Sequence, residues 1–135
     1  MTNAKFGVIR QKVTIDAAPE EVYHAYVDPE KHAAFTGTKV TGIPRIGGTF
    51  QASDGYISGK FLELVNGKRV VQEWKTTEWP AGYPPSILTL TFKPVKGKTE
   101  LTMVHSKVPA EQISMYTDGW LEFYWEPLKA HYGKK

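Results

Sequence analysis

Residues 47–76 decide the fold, and they read GGTFQASDGYISGKFLELVNGKRVVQEWKT. The dipeptides Asp54-Gly55 and Asn66-Gly67 each separate two runs rich in apolar, β-branched or aromatic residues. Asp-Gly or Asn-Gly between such runs is the strongest short-range signal of a β-hairpin. The stretch therefore predicts consecutive antiparallel strands at Thr49–Ala52, Tyr56–Val65 and Arg69–Thr76.

Further strand patterns lie on both sides of this stretch. The segment from Trp79 to Pro85 is predicted to be a loop because its prolines cannot donate hydrogen bonds to a sheet. Lys96-Gly97 marks a later turn. The additional predicted strands are Gly7–Ile15, Thr38–Ile43, Ile87–Phe92 and Glu100–Ser106. Seven strands in this order, joined mainly by hairpins, indicate one curved antiparallel sheet.

Two short helices are predicted between the first two strands. Pro19 and the two glutamates after it suit a helix N-terminus, because proline fits the first helical position and acids favour the positive end of the helix dipole. Asp28 before Pro29 repeats the signal as an N-cap, which predicts a second helix that runs to about Phe35.

A long aromatic helix is predicted at the C-terminus and ends at Gly133. Helical spacing places large side chains on one broad face: Trp120, Phe123, Tyr124, Leu128 and Tyr132. Burying five such side chains contributes roughly 8–15 kcal/mol, so the helix is expected to pack against the sheet. Pro127 removes one helical hydrogen bond, and we expect a bend there. The predicted fold class is α+β.

Composition narrows the functional classes. The chain has 135 residues and no cysteine, which excludes disulfides, thiolate catalysis and cysteine-ligated metals. The net charge is +3, but the basic residues are scattered, and no recognition helix or RNA-binding motif favours nucleic acid. No apolar run is long enough for membrane insertion, and the N-terminal stretch lacks a signal-peptide pattern. We expect a single cytoplasmic domain that spans residues 1–135.

Catalytic and phosphate-binding motifs are not found. Gly55–Gly59 has its serine one position away from a nucleophile elbow, and Gly42–Gly48 lacks the Gly-Lys-Ser/Thr of a phosphate loop. The four histidines show no pair at metal-ligand spacing. Turn and solvent roles explain the carboxylates that could form an acid–base pair, which are Asp54, Glu63 and Glu73. We therefore expect no metal, no cofactor and no catalytic residue.

The alternation of the strands indicates which side chains face the last helix. One side carries Val70, Gln72 and Trp74 on one strand, with Leu88, Leu90 and Phe92 and then Leu101, Met103 and His105 on others. A twisted sheet under a helix either encloses an aromatic cavity, which is typical of small-molecule sites, or forms a filled core. The candidate cavity wall comprises Phe50, Trp74, Leu90, Met103, His105, Trp120 and Tyr124.

A family resemblance extends from about Val13 to Gly133. Its motifs include GGTF at 47–50, DGYISGKF at 54–61, WPAG at 79–82, LTLTF at 88–92 and GW at 119–120. The chain resembles the C-terminal domain of the activator of the ninety-kilodalton heat-shock chaperone ATPase. That domain belongs to the helix-grip superfamily, which includes START lipid-transfer domains and birch-pollen-type allergens.

The resemblance implies a long helix gripping a seven-stranded sheet and a role in stimulating a chaperone's ATP turnover. In the full activator a separate N-terminal domain makes the principal chaperone contact. The leading hypothesis is therefore a non-enzymatic binding domain, whose partner is an apolar small molecule under the last helix, the chaperone at a basic surface, or both. The alternative is a lyase or cyclase that uses His105, although a histidine on a strand is more often a hydrogen-bonded core residue.

Overall fold

The computed structural model describes residues 5–133. Its strands are β1 (Phe6–Ile15), β2 (Thr41–Gly42), β3 (Thr49–Ala52), β4 (Ile57–Val65), β5 (Arg69–Thr76), β6 (Ser86–Val95) and β7 (Lys98–Pro109). The helices that follow β1 are α1 (Pro19–Val27) and α2 (Pro29–Thr36). After β7 come a 3₁₀ turn (Ala110–Gln112), α3 (Ile113–Trp120), a π-helical turn (Leu121–Trp125) and α4 (Glu126–Gly133).

The strands form one antiparallel seven-stranded sheet in the order β1-β7-β6-β5-β4-β3-β2, which confirms the predicted fold class. At the β6–β7 turn, Val95 pairs with Lys98, and Lys96 and Gly97 have φ values of 52° and 80°. Positive φ at both central residues is the requirement of the hairpin turn whose twist matches the strands. This part of the sheet therefore follows from local sequence.

The connection at Asp54 is longer than a two-residue hairpin turn. Ala52 pairs with Ile57, and a 3₁₀ turn at Ser53–Gly55 fills the gap. The Asp54 carboxylate accepts a hydrogen bond from the backbone N–H of Lys39 at 2.9 Å. Because this bond ties Lys39 to a turn, the predicted strand at 38–43 shortens to the two residues of β2.

The first two helices form as their capping residues predict. Pro19 is the first residue of α1, and Pro29 is the first residue of α2. The side chain of Asp28 caps α2 by accepting the backbone N–H of Glu30 at 2.9 Å. The two helices meet almost without a connection, because Asp28 both ends α1 and begins α2.

The buried aromatic residues of the C-terminal helical segment differ from those predicted for its inward face. Its buried aromatic residues are Tyr116, Trp120, Tyr124 and Trp125, whereas Phe123 is 59% exposed. Pro127 has no N–H to donate to the carbonyl four residues earlier. The helix widens just before Pro127, and the N–H of Glu126 donates to the carbonyl of Leu121, five residues earlier. This π turn changes the phase of the helix. The expected burial of Phe123 was therefore wrong.

The core lies between the sheet and the helices. The alternation predicted for β5, β6 and β7 is confirmed, since the inward residues are buried and their neighbours are at least partly exposed. The residues with no exposed surface in these strands include Val70, Gln72, Leu88, Leu90, Met103 and His105.

Candidate functional site

A cleft of about 410 Å³ lies beside the C-terminal helical segment. Its walls come from α3 and the π turn on one side and from the turn before β4 on the other, with Trp74 of β5 between them. The lining is mostly aromatic or apolar and consists of Thr38, Ser53, Asp54, Tyr56, Ile57, Trp74, Tyr116, Gly119, Trp120, Phe123 and Tyr124. A cleft of this size and composition is typical of sites for small organic molecules.

Trp74 connects the cleft with the core. Its ring meets the rings of His105 and Tyr116 edge to face, with centroid distances of 4.6 Å and 5.1 Å. The side chain is 3% exposed, and its indole Nε1 has no hydrogen-bond partner among the described residues. A buried donor without an acceptor costs about 1–3 kcal/mol, so Trp74 is an exception to the general pairing of buried polar groups.

His105 lies beneath the helix in a fully paired chain of hydrogen bonds. Nε1 of Trp120 donates to Nδ1 of His105 at 3.1 Å, so Nδ1 is an acceptor and the ring proton is on Nε2. That Nε2–H donates to the Ser86 hydroxyl at 2.7 Å, and the hydroxyl donates to the carbonyl of Trp74 at 2.6 Å. Burial lowers the pKa of His105 to about 3.

This arrangement gives no support to the lyase or cyclase alternative. Both ring nitrogens of His105 are used, and the side chain has no exposed surface. An acid–base group has to reach the proton that it transfers, either directly or through one water. His105 instead positions Trp120 and Ser86.

His32 has a comparable structural role, in α2. Its Nδ1–H donates to the carbonyl of Tyr26 at 2.9 Å, so Nε2 accepts the Tyr124 hydroxyl at 2.8 Å. The Tyr26 hydroxyl in turn donates to Oε1 of Gln72 at 2.6 Å. Burial lowers the pKa of His32 to about 4, against a smaller opposing effect of the hydrogen bond to Tyr26. These contacts fix the position of Tyr124 in the cleft wall.

The rim of the cleft carries a second polar group of residues. The Tyr56 hydroxyl donates to the carboxylate of Glu78. Burial, and then this hydrogen bond, raise the pKa of Tyr56 well above its usual range. The Tyr116 hydroxyl donates to Oε1 of Gln112 at 2.9 Å and lies 2.6 Å from the hydroxyl of Thr76. The tyrosines at the rim are therefore neutral and held in place.

The predicted wall residues separate into three groups. Trp74, Trp120 and Tyr124 line the cleft. Leu90, Met103 and His105 are fully buried and do not line it. Phe50 stacks on Phe61 at 5.4 Å and borders a different depression, formed by β2 to β5. A ligand-binding role for these residues stays a prediction.

Several lining residues were missed by the sequence analysis. Tyr116 could have been found, because it precedes Trp120 and Tyr124 at intervals of four residues. Tyr56 and Ile57 could not, because β4 is apolar on both faces and its pattern gives no orientation. Phe123 was placed in the core, and the π turn brings it to the cleft instead.

Charge is separated between the two layers of the molecule. The helical segments 19–36 and 110–133 contain eight Asp or Glu but only two Lys or Arg. The other described segments, 5–18 and 37–109, contain thirteen Lys or Arg and six Asp or Glu. On the outer face of the sheet, Lys60 and Lys75 border a depression of about 560 Å³, and neither forms an ion pair within residues 5–133.

Residues 5–133 contain neither a cluster of metal ligands nor a helix suited to span a membrane. No group of three or more potential ligands is close enough to hold a metal ion in this part of the chain. None of its helices combines the length and the hydropathy that a membrane span requires.

The long segmented helix over a seven-stranded antiparallel sheet defines the chain as a helix-grip domain. Residues 16–133 match the model of the family described as "Activator of Hsp90 ATPase homolog 1-like protein". The chain belongs to this family, which confirms the resemblance seen in the sequence.

Curated relatives and solved structures agree with this assignment. The human protein "Activator of 90 kDa heat shock protein ATPase homolog 1" is 37% identical over 125 residues, which cover 93% of this chain and 37% of the relative. The mouse protein of the same name is 34% identical with the same coverage. The chain thus spans just over a third of the length of these relatives.

Similarity in structure extends over nearly the whole chain. An HSP90 activator from Plasmodium falciparum superposes with a TM-score of 0.86 at 22% identity, and the match covers 93% of this chain and 96% of that one. The Aha1 dimer from Colwellia psychrerythraea gives a TM-score of 0.80 at 19% identity, with 96% and 99% covered. At these identities the similarity establishes the fold.

Proposed function

We propose that this chain is a non-enzymatic binding domain that engages a 90 kDa heat shock protein and stimulates its ATPase. The observation that carries the proposal is the 37% identity, over 93% of this chain, to the human activator of that ATPase. The residues around the cleft support a binding role, because their acid–base groups are paired with one another or held neutral.

The outer face of the sheet is the proposed contact surface for the chaperone. Lys60 lies opposite Glu73, and Lys75 lies opposite Ser58, in the β4–β5 register, so the two lysines are on neighbouring strands of this face. Neither lysine forms an ion pair within residues 5–133, and exposed surface cations attract an acidic partner and accelerate its association. The helical layer, which is rich in carboxylates, would repel the same partner.

A charge reversal tests this surface. The double variant Lys60→Glu/Lys75→Glu is expected to weaken binding to the purified chaperone about tenfold and to reduce ATPase stimulation at a fixed concentration. The control is Lys31→Glu/Lys129→Glu, which makes the same change of charge on the helical layer and should weaken binding by less than about twofold, because only screened, long-range repulsion is added. Binding is measured by calorimetry at about 50 mM and about 200 mM salt, where it should fall with salt. Equal effects of the two variants would contradict the proposed face, and undetectable wild-type binding would contradict the chaperone function.

A second function, the binding of an apolar small molecule, is favoured by the cleft beside Trp74. The experiment is native mass spectrometry of gently purified protein, followed by the same measurement after denaturation. An additional mass that disappears on unfolding is the expected result. If the protein mass stays unchanged after apolar molecules are added in large excess, the proposed small-molecule function is contradicted.

A further inference from the structure

We infer that the loop of residues 43–48 is the apolar anchor of the chaperone contact, and that Ile43 and Ile46 enter an apolar pocket of the partner that is bordered by carboxylates. The inference rests on the chaperone-binding function proposed above and adds the recognition element. Three observations carry it: the exposure of the two isoleucines, the hydrogen bonds that hold the loop, and the cations around it.

The two isoleucines leave a large apolar surface in contact with solvent. Ile46 is 64% exposed, the largest fraction for a large apolar side chain within residues 5–133, and Ile43 is 47% exposed. Every residue from 43 to 47 is exposed, so the loop presents an outer surface. Small molecules bind mostly in concave sites, whereas an exposed apolar side chain on a loop fits a pocket of another protein.

Backbone hydrogen bonds hold this loop in one shape. The N–H of Ile43 donates to the carbonyl of Thr49 at 3.0 Å. The N–H of Gly47 donates to the carbonyl of Phe61 in β4 at 2.8 Å, and the N–H of Phe61 donates to the carbonyl of Gly48 at 2.9 Å. A Cβ at Gly48 would lie 2.1 Å from the carbonyl oxygen of Ile43, so this close approach requires glycine. A loop that is already fixed loses little conformational entropy on binding, which favours affinity.

The cations beside the isoleucines define the chemistry of the partner. Arg45 is exposed and lies between the two isoleucines in the sequence. Ile43 also borders the depression that Lys60 and Lys75 line. Within residues 5–133, Glu73 is the one carboxylate residue that lines this depression, and none of the three cations forms an ion pair. A pocket bordered by carboxylates would therefore pair with these cations, whereas a basic pocket would be repelled.

A double substitution in the loop tests the anchor. Ile43→Ser/Ile46→Ser removes both apolar side chains without a change of charge, and it is expected to weaken binding to the purified chaperone about tenfold. Because salt screens charges and not apolar contacts, the weakening should be similar at about 50 mM and about 200 mM salt. ATPase stimulation at a fixed concentration should fall with the affinity.

The matched control removes two exposed apolar side chains from the helical layer. Met115 and Leu121 are 43% and 46% exposed, and neither lines the cleft. Met115→Ser/Leu121→Ser is expected to change the affinity for the chaperone by less than about twofold, because these side chains lie outside the proposed contact surface.

Each outcome separates the anchor from the function on which it rests. If the wild type binds the chaperone and the loop variant binds equally well, or no worse than the control, the anchor is overturned while the chaperone function stands. If the wild type does not bind, the chaperone function fails and the inference fails with it. If the wild type self-associates in analytical ultracentrifugation and the loop variant is monomeric, the loop contacts a second copy and the inferred partner is overturned.

Should the loop variant not fold, cross-saturation from the chaperone to the methyl groups of the wild type gives the answer. Saturation should reach the methyl groups of Ile43 and Ile46 and not those of Ile113 in α3. Saturation of Ile113 alone would overturn the inference.

Discussion

The space beneath the C-terminal helix has two regions that differ in how their polar groups are treated. Around His105 the core is filled, and the chain from Trp120 to Ser86 uses every donor and acceptor. Around Trp74 there is a cleft of about 410 Å³, and a buried N–H has no acceptor. The first region resembles an ordinary protein interior, whereas the second has the features of a binding site.

The comparison shows that aromatic content alone does not identify a site in this fold. Tryptophan side chains occur in both regions, and Trp74 and Trp120 lie only 5.7 Å apart between ring centroids. Hydrogen-bond pairing distinguishes them, because the N–H of Trp120 has an acceptor in His105 whereas the buried N–H of Trp74 has none.

Lowering the pH should have the largest effect on the free energy of unfolding. It acts on two buried histidines, His105 and His32, whose ring nitrogens are all hydrogen-bonded. Burial holds the pKa of His105 at about 3 and that of His32 at about 4, below the ordinary value of 6.5. As the pH falls below 6.5, the unfolded chain binds protons that the folded chain does not. The stability contributed by the neutral histidines is therefore fully present above this pH and is lost as the pH falls, by roughly 2 kcal/mol for each histidine at about pH 5.

Urea unfolding at about pH 7, 6 and 5 measures this loss. His105→Asn should remove a large part of this pH dependence. A free energy of unfolding that is constant over this range would show that the histidines are not held neutral by the fold.

The substitution Met103→Trp should have the next largest effect on stability. Met103 has no exposed surface and does not border the cleft, so a larger side chain is expected to overpack the core and cost about 1–3 kcal/mol. Phe123→Trp is the matched control at the open rim and should change stability by less than about 0.5 kcal/mol. Thermal unfolding compares the two variants. If Met103→Trp were as mild as the control, the space beside Met103 would have to be open.

The smallest expected difference in stability is between two Trp→Phe variants, one in each region. Trp120→Phe removes the donor to His105, whereas Trp74→Phe removes a donor without a partner. Because the lost volume is the same, the free energy of unfolding should fall by about 1 kcal/mol more for Trp120→Phe. Equal losses in chemical denaturation would mean that hydrogen-bond pairing does not distinguish the two regions.

The elements that were predicted well depend on local sequence. The cap at Asp28 and the turn at Lys96-Gly97 are determined by a few neighbouring residues, and both form as expected. The alternation along β5 to β7 was likewise sufficient to identify the inward residues. Family motifs then gave the helix-grip fold, which no single element specifies.

The features that were not predicted depend on distant partners. His105 was named as a candidate, but its neutral tautomer follows from Trp120, 15 residues later, and from Ser86, 19 residues earlier. Lys39 leaves the expected strand because of a hydrogen bond to Asp54, 15 residues away. Alternation along one strand contains no information about such contacts. Whether the wall residues bind a ligand stays a prediction.

The π turn at Leu121–Trp125 makes the length of this segment as important as its composition. Each residue of an α-helix advances the side chains by about 100°, so removing one residue from the turn would rotate α4 relative to α3 by that angle. Leu128 would then turn away from the core, or Tyr116 and Trp120 would turn away from Trp74. Side chains in this segment that face the solvent, such as Glu122, can be exchanged, but a one-residue deletion would close the cleft or release the end of the helix.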